Sequence, residues 1–267
     1  MLRKPAVAYQ FYPGESQELH DTISDFLPSI PKNKREALAV IMPHAGYFYS
    51  GAVAAETIAG VPIPPTVIVL GPNHHGQGKS LALGKNSWAM PFGEATIDKE
   101  LAEKILQNSS IIVHDESAHQ AEHSLEVQIP FLQYFKKDVK IVPIVVSHLP
   151  YSQCLQAARD LATAILEYKK PVLLVASSDM SHYESRESAS RKDHMALQHI
   201  EELDPKGLYD TVLGNNITMC GIMPVTISLL TVLALGASRA ELIKYTDSGE
   251  ASGDTRQVVG YAGVVIR

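Results

Sequence analysis

Three short apolar runs in this chain are followed by histidine. Residues 66–70 are apolar and β-branched, are stopped by Gly71-Pro72, and lead at once into Asn73, His74 and His75. Residues 38–42 run into Pro43-His44-Ala45-Gly46-Tyr47, and residues 171–176 into Ser177-Ser178-Asp179-Met180-Ser181-His182. Runs of this kind predict buried strands, and in α/β folds ligands bind at the carboxyl ends of strands. Imidazoles at three such ends are candidates for one site. Two imidazoles and one anionic donor, with positions left open, suit a catalytic transition metal. The anionic donor is Cys220 as thiolate, or a carboxylate among Asp179, Glu126, Asp247 and Glu250. Cys220 stands near a predicted helix start, where the dipole favours the thiolate. Neighbours in an extended segment point opposite ways, so one of His74 and His75 is expected in a given site.

Each residue also has a plainer reading. His44 can satisfy backbone groups at a strand end, His74 and His75 can form a turn, Asp179 can cap, and Cys220 can be an inert buried thiol. Tyr47 and Tyr49 alternate in what reads as an extended segment, so one of them is expected to pack. His114, His119, His194 and His199 are expected at the surface. What lifts the set above these readings is repetition of one residue type at three strand ends.

The positioning elements follow from periodicity. Helices are predicted over residues 16–27, 51–59, 98–107, 152–168, 187–203 and, wholly buried, 221–237. Residues 80–97 read as a hairpin region, and 140–146, 241–245 and 258–266 as strands. Residues 122–135 carry a helical stripe through Leu125, Ile129 and Leu132, which would put His123 and Glu126 on one face. Pro28, Pro31 and the charged residues 32–35 read as a turn. With 267 residues and no clear linker, one α/β domain over 1–267 is expected. A net charge of -6 and no run of Lys or Arg argue against nucleic acid or an anionic membrane as partner. No apolar run reaches the about 20 residues needed to span a bilayer. Two cysteines make no disulfide framework, and a reducing, cytoplasmic setting is the simple expectation.

Several blocks, in this order, resemble the Memo-like family, whose prokaryotic members are called AmmeMemoRadiSam system protein B. They are Pro43-His44-Ala45-Gly46-Tyr47, Leu70-Gly71-Pro72-Asn73-His74-His75, Glu122-His123-Ser124-Leu125-Glu126-Val127-Gln128, Ser177-Ser178-Asp179-Met180-Ser181-His182, Cys220-Gly221 and the closing Gln257-Val258-Val259-Gly260-Tyr261-Ala262. The resemblance implies a single α/β domain with a central mixed, mostly parallel sheet flanked by helices, similar to class III extradiol dioxygenases. Those enzymes hold non-haem Fe(II) with two histidines and a carboxylate. Carried over, His44 and His74 are the ligand histidines, Cys220 is the third ligand in the carboxylate's place, and His182 is the acid/base with Asp179 beside it. His75, His123, Glu126, Tyr47 and Asn73 are expected to line or support the pocket. A divalent metal is implied, Fe(II) foremost, with copper or zinc favoured by the softer thiolate. The expected function is a metal-dependent oxidoreductase acting on a small-molecule or peptide ligand. Two alternatives stay open: a non-catalytic protein working with radical-SAM and AMMECR1-like partner proteins, and a zinc-dependent hydrolase.

Overall fold

The computed structural model describes residues 2–27 and 34–267; the turn expected at 28–35 lies outside them but for its last two residues. Twelve strands are present among the described residues: β1 (Leu2–Arg3), β2 (Ala39–Met42), β3 (Thr66–Pro72), β4 (Leu81–Leu83), β5 (Ser87–Met90), β6 (Gly93–Ile97), β7 (Val113–His114), β8 (Lys140–Val146), β9 (Val172–Ser177), β10 (His182–Glu184), β11 (Ala240–Asp247) and β12 (Val258–Ile266). The helices are α1 (Ser16–Asp25), α2 (Tyr47–Ala59), α3 (Lys99–Asn108), α4 (Ile129–Phe135), α5 (Tyr151–Tyr168), α6 (Arg186–Glu201), α7 (Pro205–Gly214), α8 (Ile222–Ala234) and α9 (Gly249–Ser252).

The strands form one mixed sheet in the order β1-β5-β6-β8-β3-β9-β2-β12-β10. Its centre, β6-β8-β3-β9-β2, is parallel throughout. β12 adds antiparallel to β2 and carries β10 and β11 antiparallel beside it. The centre is parallel because helices cover it. Every residue of β2 and β3 is buried, the continuous apolar pattern of strands enclosed on both faces. Helix α8 lies against β2, β3 and β9, with α5 packed on it, while α2 lies against β2, β11 and β12. Ten of the thirteen residues of α8 are buried, so it is apolar on most faces because it is enclosed on most, with Leu233 near its end reaching solvent. No described helix is long and apolar enough to cross a membrane, and Cys154 and Cys220 are both free thiols. Asp98 caps α3, its Oδ1 accepting from Leu101 N at 3.0 Å.

The sheet thus agrees with the α/β expectation, while three local expectations are corrected. Helix α2 begins at Tyr47 rather than residue 51, so Tyr47 and Tyr49 sit in its first turn and do not alternate in an extended segment. His119 is buried, not at the surface. Residues 122–135 do not form one helix: a 3-10 turn occupies Glu126–Gln128 and α4 starts only at Ile129. Pro130 explains the late start. Its ring fits only the first turn of a helix, so a helix beginning at 122 would place it in the interior and break there.

Candidate functional site

The parallel order puts the carboxyl ends of β8, β3, β9 and β2 side by side. His44 follows β2, His74 follows β3, and Ser177 to His182 follow β9. His123 comes from the irregular turn before Glu126–Gln128. One ring nitrogen from each of His44, His74 and His123 lies within 4.8 Å of the others. The His74 and His123 rings stack at 4.5 Å between centroids, and His44 meets both edge-on at 5.1 and 5.6 Å. Burial is graded across the group: His44 is 2% exposed, His123 is intermediate and His74 is exposed.

Two of the three rings are held by hydrogen-bond partners. His74 Nδ1 lies 2.9 Å from Glu122 Oε1, and His74 N donates to Glu122 Oε2 at 2.7 Å. A carboxylate accepts only, so Nδ1 carries a hydrogen, which leaves Nε2 as the donor nitrogen of the neutral ring. Glu122 is buried, which by itself raises a carboxyl; the His74 ring and the N–H groups of Ser124 and His74 outweigh that and hold it at about 2. It stays an anion. His44 Nδ1 lies 2.9 Å from Ser177 Oγ, and its Nε2 lies 3.2 Å from Cys220 Sγ. Burial, then the positive charge that His74, His123 and His182 would carry, keeps His44 neutral far below the usual histidine range. Burial and His74 likewise lower His123 to about 4. His44 and His123 are therefore neutral imidazoles at pH 7.

Cys220 stands just before α8 and touches the cluster through His44 alone; the third member of the close group is His123. Its Sγ also accepts from Asp179 N at 3.2 Å. Burial and the Asp179 carboxylate push the thiol well up. Gly221 is required here. A Cβ on it would lie 2.3 Å from Ser177 O, so only glycine lets the start of α8 come this close to β9. Asp179 is buried and accepts from His44 N at 2.7 Å, which ties the ends of β2 and β9 together. Burial raises its carboxyl to about 6 against that hydrogen bond and the His182 charge. His182 Nδ1 faces two carbonyls, Met180 O at 2.8 Å and Thr218 O at 2.9 Å, so it too is Nδ1-protonated with Nε2 free.

The remaining candidates fall elsewhere. His75 is exposed and outside the three-histidine group. Asn73 closes the adjoining loop, its Nδ2 donating to Gln77 O and Ser147 Oγ. It borders a cavity of about 200 Å³ shared with His148, Cys220 and Met223. Tyr47 is buried, stacks on Phe131 and donates to Val127 O at 2.8 Å. Glu126 does not face the cluster. Its carboxylate is taken by Arg3, Tyr12 and the N–H groups of Ala6 and Val7, because the 3-10 turn rotates it away from His123 toward the N-terminal arm. That arm returns to the site through Phe11, whose ring lies 4.9 Å from that of His123. Asp247 is bound to Arg186, and Glu250 lies 3.5 Å from the same guanidinium. Sequence reasoning passed over Glu122, Ser177 and Gln128, which hold the rings; the one signal for Glu122 was its place in the crowded His and Glu run from 114 to 126.

A family profile described as Memo-like protein matches residues 3–265. A MEMO1 family protein of Methanosarcina mazei is 40% identical over 266 residues, covering 99% of each chain. One of Aquifex aeolicus is 41% identical over 266 residues, covering 99% of this chain and 98% of its own. Among solved structures, uncharacterized protein JW3007 from Escherichia coli K12 matches with a TM-score of 0.54 at 15% identity, covering 86% of this chain and 99% of that one. This last likeness is one of fold.

Proposed function

This chain belongs to the Memo-like family, and we propose that it carries a mononuclear metal centre built on His44 and His74, with His123 and Cys220 as the adjoining donors. One observation carries the reading: three imidazoles from three separate segments bring one ring nitrogen each within 4.8 Å of the others, and two of them already have Nδ1 occupied, by Ser177 and by Glu122. Structural histidines have no need to converge. The donor set of nitrogen with a neighbouring sulfur fits Fe(II), copper or zinc and does not fit magnesium or calcium, which take oxygen. Such an ion, when bound, supplies Lewis-acid or redox chemistry.

The chain's own residues do the rest. Glu122 orients His74, the kind of carboxylate partner that tunes a ligand histidine. His182, with Nδ1 hydrogen-bonded to carbonyls, presents a basic Nε2 that can take up or return a proton. Asp179 fixes the His44 backbone. The cavity beside Cys220 admits a ligand smaller than a drug-sized molecule. We assign oxidoreductase chemistry on a small molecule as the activity.

The test is elemental analysis of protein purified without oxygen, beside His44→Ala, His74→Ala, His123→Ala and Cys220→Ser. Stoichiometric iron, copper or zinc is expected in the wild type and none in the first two variants. Loss in Cys220→Ser would place the thiol in the coordination sphere, and loss in His123→Ala the imidazole. Absence of metal from the wild type after loading with all three ions would overturn the centre and leave a metal-free binding pocket.

A further inference from the structure

We propose that Ser177 and Gln128 are positioning residues that lock His44 in its Nδ1–H tautomer and so present its Nε2 lone pair to the cluster. The consequence for metal affinity rests on the reading above; the lock itself does not.

The argument is an inventory of hydrogens. A serine hydroxyl has one hydrogen to give and two lone pairs to offer. Ser177 Oγ lies 2.6 Å from Ser124 O, a carbonyl that can only accept, so the hydroxyl hydrogen is spent there. Gln128 Nε2 lies 2.9 Å from Pro43 O, which fixes the nitrogen side of that amide, and 2.7 Å from Ser177 Oγ. Its second N–H therefore fills one lone pair of Ser177. The other lies toward His44 Nδ1 at 2.9 Å. Two acceptors at that distance would repel, so Nδ1 carries the hydrogen and Nε2 keeps its lone pair, with the protonated Cys220 thiol 3.2 Å away. Ser177, Gln128 and Ser124 are all fully buried, so no bulk water can stand in for any of them.

The same network reaches the second histidine. Ser124 N donates to Glu122 Oε1 at 2.9 Å, on the carboxylate that holds His74 Nδ1. Ser124 Oγ donates to Pro72 O, two residues before His74. One short turn, residues 122–128, thus aims the Nε2 lone pairs of His44 and His74 and carries His123 as well. The opposite tautomer would leave a hydrogen on His44 Nε2, which would have to be lost before that nitrogen could donate to a metal.

The experiment needs no variant at first. Nitrogen-15 spectra of the metal-free wild type at neutral pH should show His44 with a pyrrole-type Nδ1 and a pyridine-type Nε2, its signals identified by their absence in His44→Gln. Ser177→Ala should mix the tautomers and weaken zinc affinity by about 10- to 100-fold. Ser177→Thr, which keeps the hydroxyl, should restore both, and Gln128→Leu should give a partial loss. A wild-type spectrum with hydrogen on Nε2 would overturn the lock. So would a Ser177→Ala protein that keeps the Nδ1–H tautomer and wild-type zinc affinity, since that is what a merely structural serine predicts. The expected tautomer in a protein that binds no zinc would support the lock and overturn the metal centre instead.

Discussion

His119 shows what a buried histidine does when it is not part of the cluster. It is 1% exposed, and its Nε2 lies 3.0 Å from Ala82 O, so Nε2 carries the ring hydrogen. Its ring meets Trp88 edge-on, and its carbonyl accepts from Arg3 Nε. Burial lowers it from 6.5 to about 4. The folded protein therefore holds this group neutral while the unfolded chain protonates it near 6.5. Stability is fully present above that value and is lost as pH falls toward 4. The loss attributable to His119 is about 2 kcal/mol at pH 5 and about 3 kcal/mol in full. Urea unfolding at pH 7 and pH 5 checks this: His119→Gln should show a pH dependence shallower by about 2 kcal/mol. The sequence placed this residue at the surface because its neighbours are polar. What buries it is the N-terminal arm, a contact 116 residues away along the chain that no local pattern encodes.

At the scale of elements, the turn before α4 decides two things at once. Read as a helix, residues 122–135 would aim His123 and Glu126 together; Pro130 forbids that helix, and the two side chains part. His123 joins the cluster, and Glu126 becomes the anchor of the arm. Its fully buried carboxylate accepts from Arg3, Tyr12, Ala6 N and Val7 N. Breaking a buried pair costs more than the pair is worth, because the partner's charge stays behind. Glu126→Gln should therefore destabilise by about 3 kcal/mol and lower Tm by roughly 10 °C in a thermal melt. Limited proteolysis should then open the arm first. The strands of the parallel centre were legible because enclosed strands are continuous β-branched runs ended by Gly or Pro. The histidines after β2, β3 and β9 were legible with them. Tyr47 was misjudged because the Gly46-Tyr47 sequence carries no cap side chain to announce where α2 begins.

At the scale of the molecule, the site belongs to the sheet and not to any one segment. His44 and His74 are brought together because β3 and β2 both pair with β9, which separates them by a single strand. An ion held by such residues binds the folded chain and leaves the unfolded one without a preformed site, so loading is worth about 2.7 kcal/mol at 100-fold excess over Kd. Chelation should lower Tm by roughly 5–10 °C, and His44→Ala should abolish the difference between chelated and loaded protein. The sequence could name the residues at each strand end, but their order across the sheet is set by crossovers that local patterns do not record.

The arm's attachment to Glu126 also has a consequence in time. Arg3 and Glu126 are separated by 123 residues, and Phe11 reaches the His123 ring over a similar span. During synthesis at about 5–20 residues per second, the arm emerges many seconds before the turn it must meet. Contacts of such long range are made late, because the loop must close before they reward it. The segment made early therefore has to wait for the turn to be made before it can dock. Until it does, the histidine group lacks the Phe11 wall, and a chain stalled short of residue 126 has no way to finish the site.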